Sequence, residues 1–121
     1  GVALALPALM RSEKLIKRVK RAGYELAQPE YLLERFQDKL EQNHSLVKDK
    51  DQDLQNENWI GELFFMLNLL AVHLGVDTEK ALRNTNRKFE NEVINFEKYG
   101  TNEQIQFFST KLFNFLFKKK N

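Results

Sequence analysis

The stretch Trp59-Ile60-Gly61-Glu62-Leu63-Phe64-Phe65-Met66-Leu67-Asn68-Leu69-Leu70-Ala71-Val72-His73-Leu74-Gly75-Val76-Asp77 decides the fold of this 121-residue chain. It is a long apolar run with one acid, Glu62, near its start and a Gly-Val-Asp stop at its end. Wound as a helix, its apolar side chains cover nearly the whole circumference, which predicts a place at the centre of a helical bundle. A carboxylate inside such a helix is costly unless it is paired or holds a cation. The remaining segments supply what packs around this helix and what faces Glu62.

Upstream, residues 43–58 are mostly polar and include Lys48-Asp49-Lys50-Asp51-Gln52-Asp53, the composition of a helix–helix loop. Before it, Pro29 opens a predicted helix running to about His44, with Tyr31, Leu32, Leu33, Phe36 and Leu40 as its apolar stripe. Tyr24 to Gln28 is a connector. The first predicted helix spans Ala8 to Ala22, with Pro7 suited to its first turn and Gly23 as its stop. Its stripe is Leu9, Leu15, Ile16 and Val19, and residues 1–6 form an extended lead-in. The basic residues Arg11, Lys14, Lys17, Arg18, Lys20 and Arg21 are open to two readings, a solvated face or attraction of a phosphate-bearing ligand.

Downstream, Asp77 or Thr78 caps a fourth predicted helix from Glu79 to about Tyr99, with Ala81, Leu82, Phe89, Val93 and Phe96 expected in the core. Gly100-Thr101-Asn102 breaks the chain. The tail beyond it carries Ile105, Phe108, Leu112, Phe115 and Leu116 at helical spacing, then Lys118-Lys119-Lys120. Three readings stay open for this tail: a fifth helix docked on the bundle or on a dimer mate, a membrane-surface helix, or a frayed end. The expected organisation is a helical domain over 1–99 and a Phe-rich tail over 100–121.

Composition narrows the function classes. The absence of cysteine excludes disulfides, zinc thiolate sites and thiol catalysis. A net charge of +2 is too near neutral to argue for nucleic acid. The apolar start Gly1-Val2-Ala3-Leu4-Ala5-Leu6 lacks a basic flank and is cut short by Pro7, so no signal peptide is expected. No run reaches the ~18 apolar residues of a spanning helix, and a cytoplasmic protein without membrane association is the expectation. Because the chain starts without methionine, it is expected to be a piece of something longer.

With the helices placed, several blocks resemble one known family in the same order. Leu6-Pro7-Ala8-Leu9-Met10-Arg11-Ser12-Glu13-Lys14-Leu15, Lys17-Arg18 and Ala22-Gly23-Tyr24 are similar to the opening of the MazG catalytic domain. Gly61-Glu62-Leu63-Phe64, Asn68-Leu69, His73-Leu74-Gly75-Val76-Asp77, Glu79-Lys80-Ala81-Leu82-Arg83 and Asn86-Arg87-Lys88-Phe89 are similar to its continuation, so that residues 1–97 are covered. The resemblance implies an all-α antiparallel bundle that pairs with a second subunit to form its catalytic unit. It also implies conversion of a nucleoside triphosphate to its monophosphate and pyrophosphate with Mg²⁺. In the family that ion is held by an E-E-x-x-E motif on one helix and an E-E-x-x-D motif on the next. Acids at i and i+3 share a helix face, and two such faces place several oxygens around one cation.

Position by position, the first motif falls here on Asp38, Lys39 and Gln42, and the second on Asn58, Trp59 and Glu62. Asp38 and Glu62 keep an acid, while Lys39, Gln42, Asn58 and Trp59 stand where the family has ligands. The candidate metal residues are therefore Asp38 and Glu62, with Glu41 and Glu57 as neighbours able to contribute. Sliding the second helix by one residue would bring in Glu41, but it would also turn Lys39 inward and Phe36 and Leu40 outward. Arg35 and Lys88 occupy phosphate-contacting positions, whereas Asn91 and Glu92 replace the family's pair of arginines. Glu25-Leu26 replaces an expected aromatic run. His44 and His73 are isolated and read as ordinary surface or core residues.

Two hypotheses follow. One is a Mg²⁺-dependent pyrophosphohydrolase domain, weak or inactive, using Asp38, Glu62 and Glu41 or Glu57. The other is a non-catalytic oligomerisation or nucleotide-binding module that keeps the fold. Both expect a homodimer, because the third helix is too apolar to be covered by one short chain.

Overall fold

The computed structural model describes residues 7–48 and 51–99, so the lead-in and the Phe-rich tail lie outside the described residues. The protein is all-α, as its periodicity predicts. Its elements are α1 (Ala8–Arg21), α2 (Pro29–Gln42), a 3-10 helix (His44–Lys48), α3 (Asp53–Leu74) and α4 (Thr78–Tyr99). Two compact units divide at the Thr78–Glu79 bond.

In the first unit α3 is the hub, and α1, α2 and the 3-10 helix all pack on it. The stops are those the glycines predict. Gly23 and Gly75 both adopt positive φ, +100° and +73°, conformations that cost glycine little. The Val76 N–H then reaches back to the Ala71 carbonyl at 2.8 Å and closes α3. Pro29 is the first residue of α2. Pro7 sits one position before α1 rather than inside it, its carbonyl accepting the Arg11 N–H at 2.9 Å.

The polar run 43–58 is the connection between α2 and α3 only in its first part. It contains a 3-10 helix, His44–Lys48, and α3 begins at Asp53, six residues ahead of Trp59. No glycine or proline lies within residues 53–60, so nothing in the backbone keeps α3 from starting ahead of the apolar run. Asp53 in the first turn complements the helix dipole. Asn56 Nδ2 donates to the Leu46 carbonyl at 3.5 Å, a long contact between α3 and the 3-10 helix.

Burial departs most from the sequence pattern. The buried hydrophobic residues among those described are Ile16, Leu32 and Ala71. Of the apolar stripes, Leu15 and Val19 on α1, and Tyr31, Leu33 and Leu40 on α2, are exposed. On α3, Ile60, Phe64, Leu67 and Leu74 are 42–58% exposed. With Ala71 they recur at spacings of four and three, a heptad seam left largely open. On α4, Ala81 and Leu82 are exposed, Phe89 and Val93 are half-buried, and the Phe96 side chain lies outside the described residues. The correction has one physical cause: a periodic stripe reports that a face is apolar, not that its own chain covers it.

Asn68 is 1% exposed in the middle of α3. Its Nδ2 donates to the Leu9 carbonyl at 2.9 Å, and its Oδ1 accepts from the Thr78 hydroxyl at 2.9 Å. One amide therefore ties the start of α1 and Thr78 to the central helix. Asn68→Ala should cost about 2 kcal/mol in urea unfolding, because it removes two hydrogen bonds made by part-buried groups. Thr78→Val should cost about 1 kcal/mol. Equal losses would show that the Leu9 bond contributes nothing.

Candidate functional site

Of the residues that the resemblance marks, Lys39 and Glu62 meet where α2 packs on α3. On α2, Arg35, Lys39 and Gln42 follow one another at i, i+4 and i+7, with Asp38 beside them. On α3, Asn58, Trp59 and Glu62 lie within about one turn. Both helices belong to the first unit, so the juxtaposition is internal to it.

The decisive contact is ionic. The Lys39 ammonium donates to Oε2 of Glu62, joining α2 to α3. Lys39 is the more enclosed partner, with 23% of its side chain exposed against 56% for Glu62. Asn43 Nδ2 donates to the Lys39 carbonyl at 2.7 Å and finishes α2 just beyond the site. The acid on α2, Asp38, has Arg35 near it, Nη1 to Oδ2 at 3.9 Å with both side chains about half exposed. Two cations and two carboxylates thus share this face, and their charges cancel.

Trp59, Gln42 and Asn58 are engaged elsewhere or exposed. Trp59 is half-buried, and its Nε1 donates to Oδ1 of Asn56 at 2.8 Å, one turn earlier on α3. Gln42 and Asn58 are exposed, as are Glu41 and Glu57. Lys88 is exposed on α4, in the second unit. Glu92 is fully buried, which the polar run around it does not signal. Asn43 and Asn56 also escape the sequence pattern; the i, i+3 pairing of Asn56 with Trp59 becomes visible only once α3 is known to start at Asp53.

A divalent cation finds a poor donor set here. Mg²⁺ needs several oxygens in near-octahedral geometry. Among the described residues no three Asp, Glu or His side chains converge to offer them. The Glu62 carboxylate faces an ammonium instead. A positive charge ~4 Å from a bound cation costs roughly 4 kcal/mol per unit charge at an effective dielectric of about 20. The residues present do not fit the ion that the resemblance implies.

A separate open cleft of about 370 Å³ is lined by Lys20, Tyr24, Glu25, Leu26, Gln28 and His73. It includes part of the connector between α1 and α2, Tyr24, Glu25, Leu26 and Gln28. His73 lies eleven residues beyond Glu62 on the same helix, about 16 Å away along the axis.

Comparison with known proteins agrees with the residue blocks. A nucleoside triphosphate pyrophosphohydrolase/pyrophosphatase MazG of Thermotoga maritima is 29% identical over 84 residues, 69% of this chain and 31% of that protein. A nucleoside triphosphate pyrophosphohydrolase of Escherichia coli K12 is 31% identical over 87 residues, 71% of this chain and 33% of that protein. The likeness is to MazG. This supports the pyrophosphohydrolase family, and the chain spans about a third of the length of the curated relatives it matches. No family model matches, and no solved structure does. No single helix among the described residues is long and apolar enough to cross a membrane.

A double-mutant cycle on Lys39→Ala and Glu62→Ala should give a coupling of about 0.5–1 kcal/mol in low salt, since Glu62 is half in water. The coupling should shrink in ~1 M salt. A coupling indistinguishable from zero at low salt would mean that the pair does not hold the two helices together.

Proposed function

We propose that this chain is a cytoplasmic MazG-type nucleoside triphosphate pyrophosphohydrolase domain whose Mg²⁺-dependent hydrolysis is weak or absent, retained as a homodimeric module. The observation that carries this reading is the Lys39–Glu62 ion pair. An ammonium on α2 takes the α3 carboxylate that a metal-dependent site would need. The likeness to proteins named as pyrophosphohydrolases supports the family-level activity, and it keeps a second reading in play. In that reading Asp38, Glu41, Glu57 and Glu62 form a rearranged acid set, and Arg35 and Lys88 contact phosphates.

Pyrophosphate release from a panel of NTPs and dNTPs, with and without Mg²⁺, tests the two against each other. The expected outcome is no metal-dependent turnover above that of Glu62→Ala. Turnover that needs Mg²⁺ and disappears in the Glu62→Ala variant would establish the rearranged set and refute the inactive reading. If turnover is absent, restoring acids with Lys39→Glu, Gln42→Glu, Asn58→Glu and Trp59→Glu together should recover metal binding.

The open seam of Ile60, Phe64, Leu67 and Leu74 supports the homodimer. A stripe of this kind on a central helix is what a second copy of the same helix would bury. Sedimentation equilibrium should give a dimer for the native chain and a monomer for Phe64→Glu with Leu67→Glu. A native monomer at tens of micromolar would remove the dimer from the proposal.

A further inference from the structure

We propose that Lys39 stands in for the divalent cation, so that the α2–α3 site takes the phosphate groups of a nucleotide through Lys39 and Arg35 without metal. The inference rests on the reading of a MazG-type site that has lost its metal chemistry. It adds what the same site binds and how.

Arg35 and Lys39 are i and i+4 on α2, so their side chains emerge from one face of the helix. Lys39 carries three N–H donors and spends one on Glu62. Glu62 is more than half exposed and can turn into water at small cost when an anion arrives. Asp38 holds Arg35 only loosely at 3.9 Å, beyond hydrogen-bond range, which leaves the guanidinium fork able to meet a phosphate. The cluster is neutral while it is empty. A polyphosphate chain that displaces the Glu62 carboxylate meets two fixed cations within about one turn. The negative charge that Mg²⁺ would offset in an acid-rich site is offset by the protein itself.

The two kinds of site respond oppositely to the same substitution. Where Glu62 is a metal ligand, Glu62→Gln weakens nucleotide binding. Where Glu62 is the counter-ion that a phosphate displaces, Glu62→Gln strengthens it. Magnesium separates them again, because it lowers the charge of ATP and so weakens binding to a site made only of cations.

Titration calorimetry of the full chain with ATP, tripolyphosphate and adenosine in EDTA reads binding directly. The fluorescence of Trp59, the single tryptophan, one turn from Glu62, reports its location. The expected result is that ATP and tripolyphosphate bind in EDTA and perturb Trp59, whereas adenosine does not. Added Mg²⁺ should weaken ATP binding, Glu62→Gln should tighten it about threefold to tenfold, and Lys39→Met should abolish it. Circular dichroism confirms that each variant is folded. The inference is overturned if ATP binding requires Mg²⁺, if Glu62→Gln loosens it, if Lys39→Met leaves it unchanged, or if neither polyphosphate binds in EDTA. Absent binding together with absent turnover refutes this inference alone. Mg²⁺-dependent pyrophosphate release refutes the reading on which it rests.

Discussion

The structure depends on a mismatch between the apolar circumference of α3 and the cover available to it. α1 and α2 pack on this helix and leave Ile60, Phe64, Leu67 and Leu74 about half in water. Burying such side chains is worth roughly 25 cal/mol per Å² of apolar surface removed from water, so a face of this size is a standing drive toward association. The same helix carries Glu62 on another part of its surface, where α2 rather than solvent supplies the partner. The open seam and the ion-paired site are thus two consequences of one helix with too much to cover.

Charge decides what the α2–α3 crossing can do. Oxygen-rich helix faces attract a hard divalent cation, and Lys39, Gln42, Asn58 and Trp59 bring only the two amide oxygens of Gln42 and Asn58 to this one. Lys39 supplies a cation of its own, held by Glu62 and only partly open to water. A site assembled this way needs no metal to balance its carboxylates. The Asn43 amide donates to the Lys39 carbonyl and fixes the backbone beside it, and the Trp59 indole N–H donates to Oδ1 of Asn56, which fixes the ring.

Much of the fold was legible in the residues. Gly23 and Gly75 stop helices because positive φ costs them little, and Pro29 starts one because its missing N–H is not needed there. The polar run before Trp59 misled, since hydrophilic composition does not distinguish a loop from an exposed helical turn, and only backbone hydrogen bonding settles it. The site positions were legible only through the resemblance. Spacing alone places Arg35 near Asp38, three residues away on one helix, but no rule of spacing pairs Lys39 with Glu62, which is 23 residues along the chain.

The sequence by itself determined the helical class, most helix ends and the central place of α3, because these follow from local backbone preferences and from hydrophobic periodicity. Tertiary structure alone decided which apolar stripes are covered, that Asn68 joins α1 and Thr78 to α3, and that Lys39 neutralises Glu62. Each of these depends on how two helices cross, a geometry set by the summed packing of both surfaces rather than by any one segment.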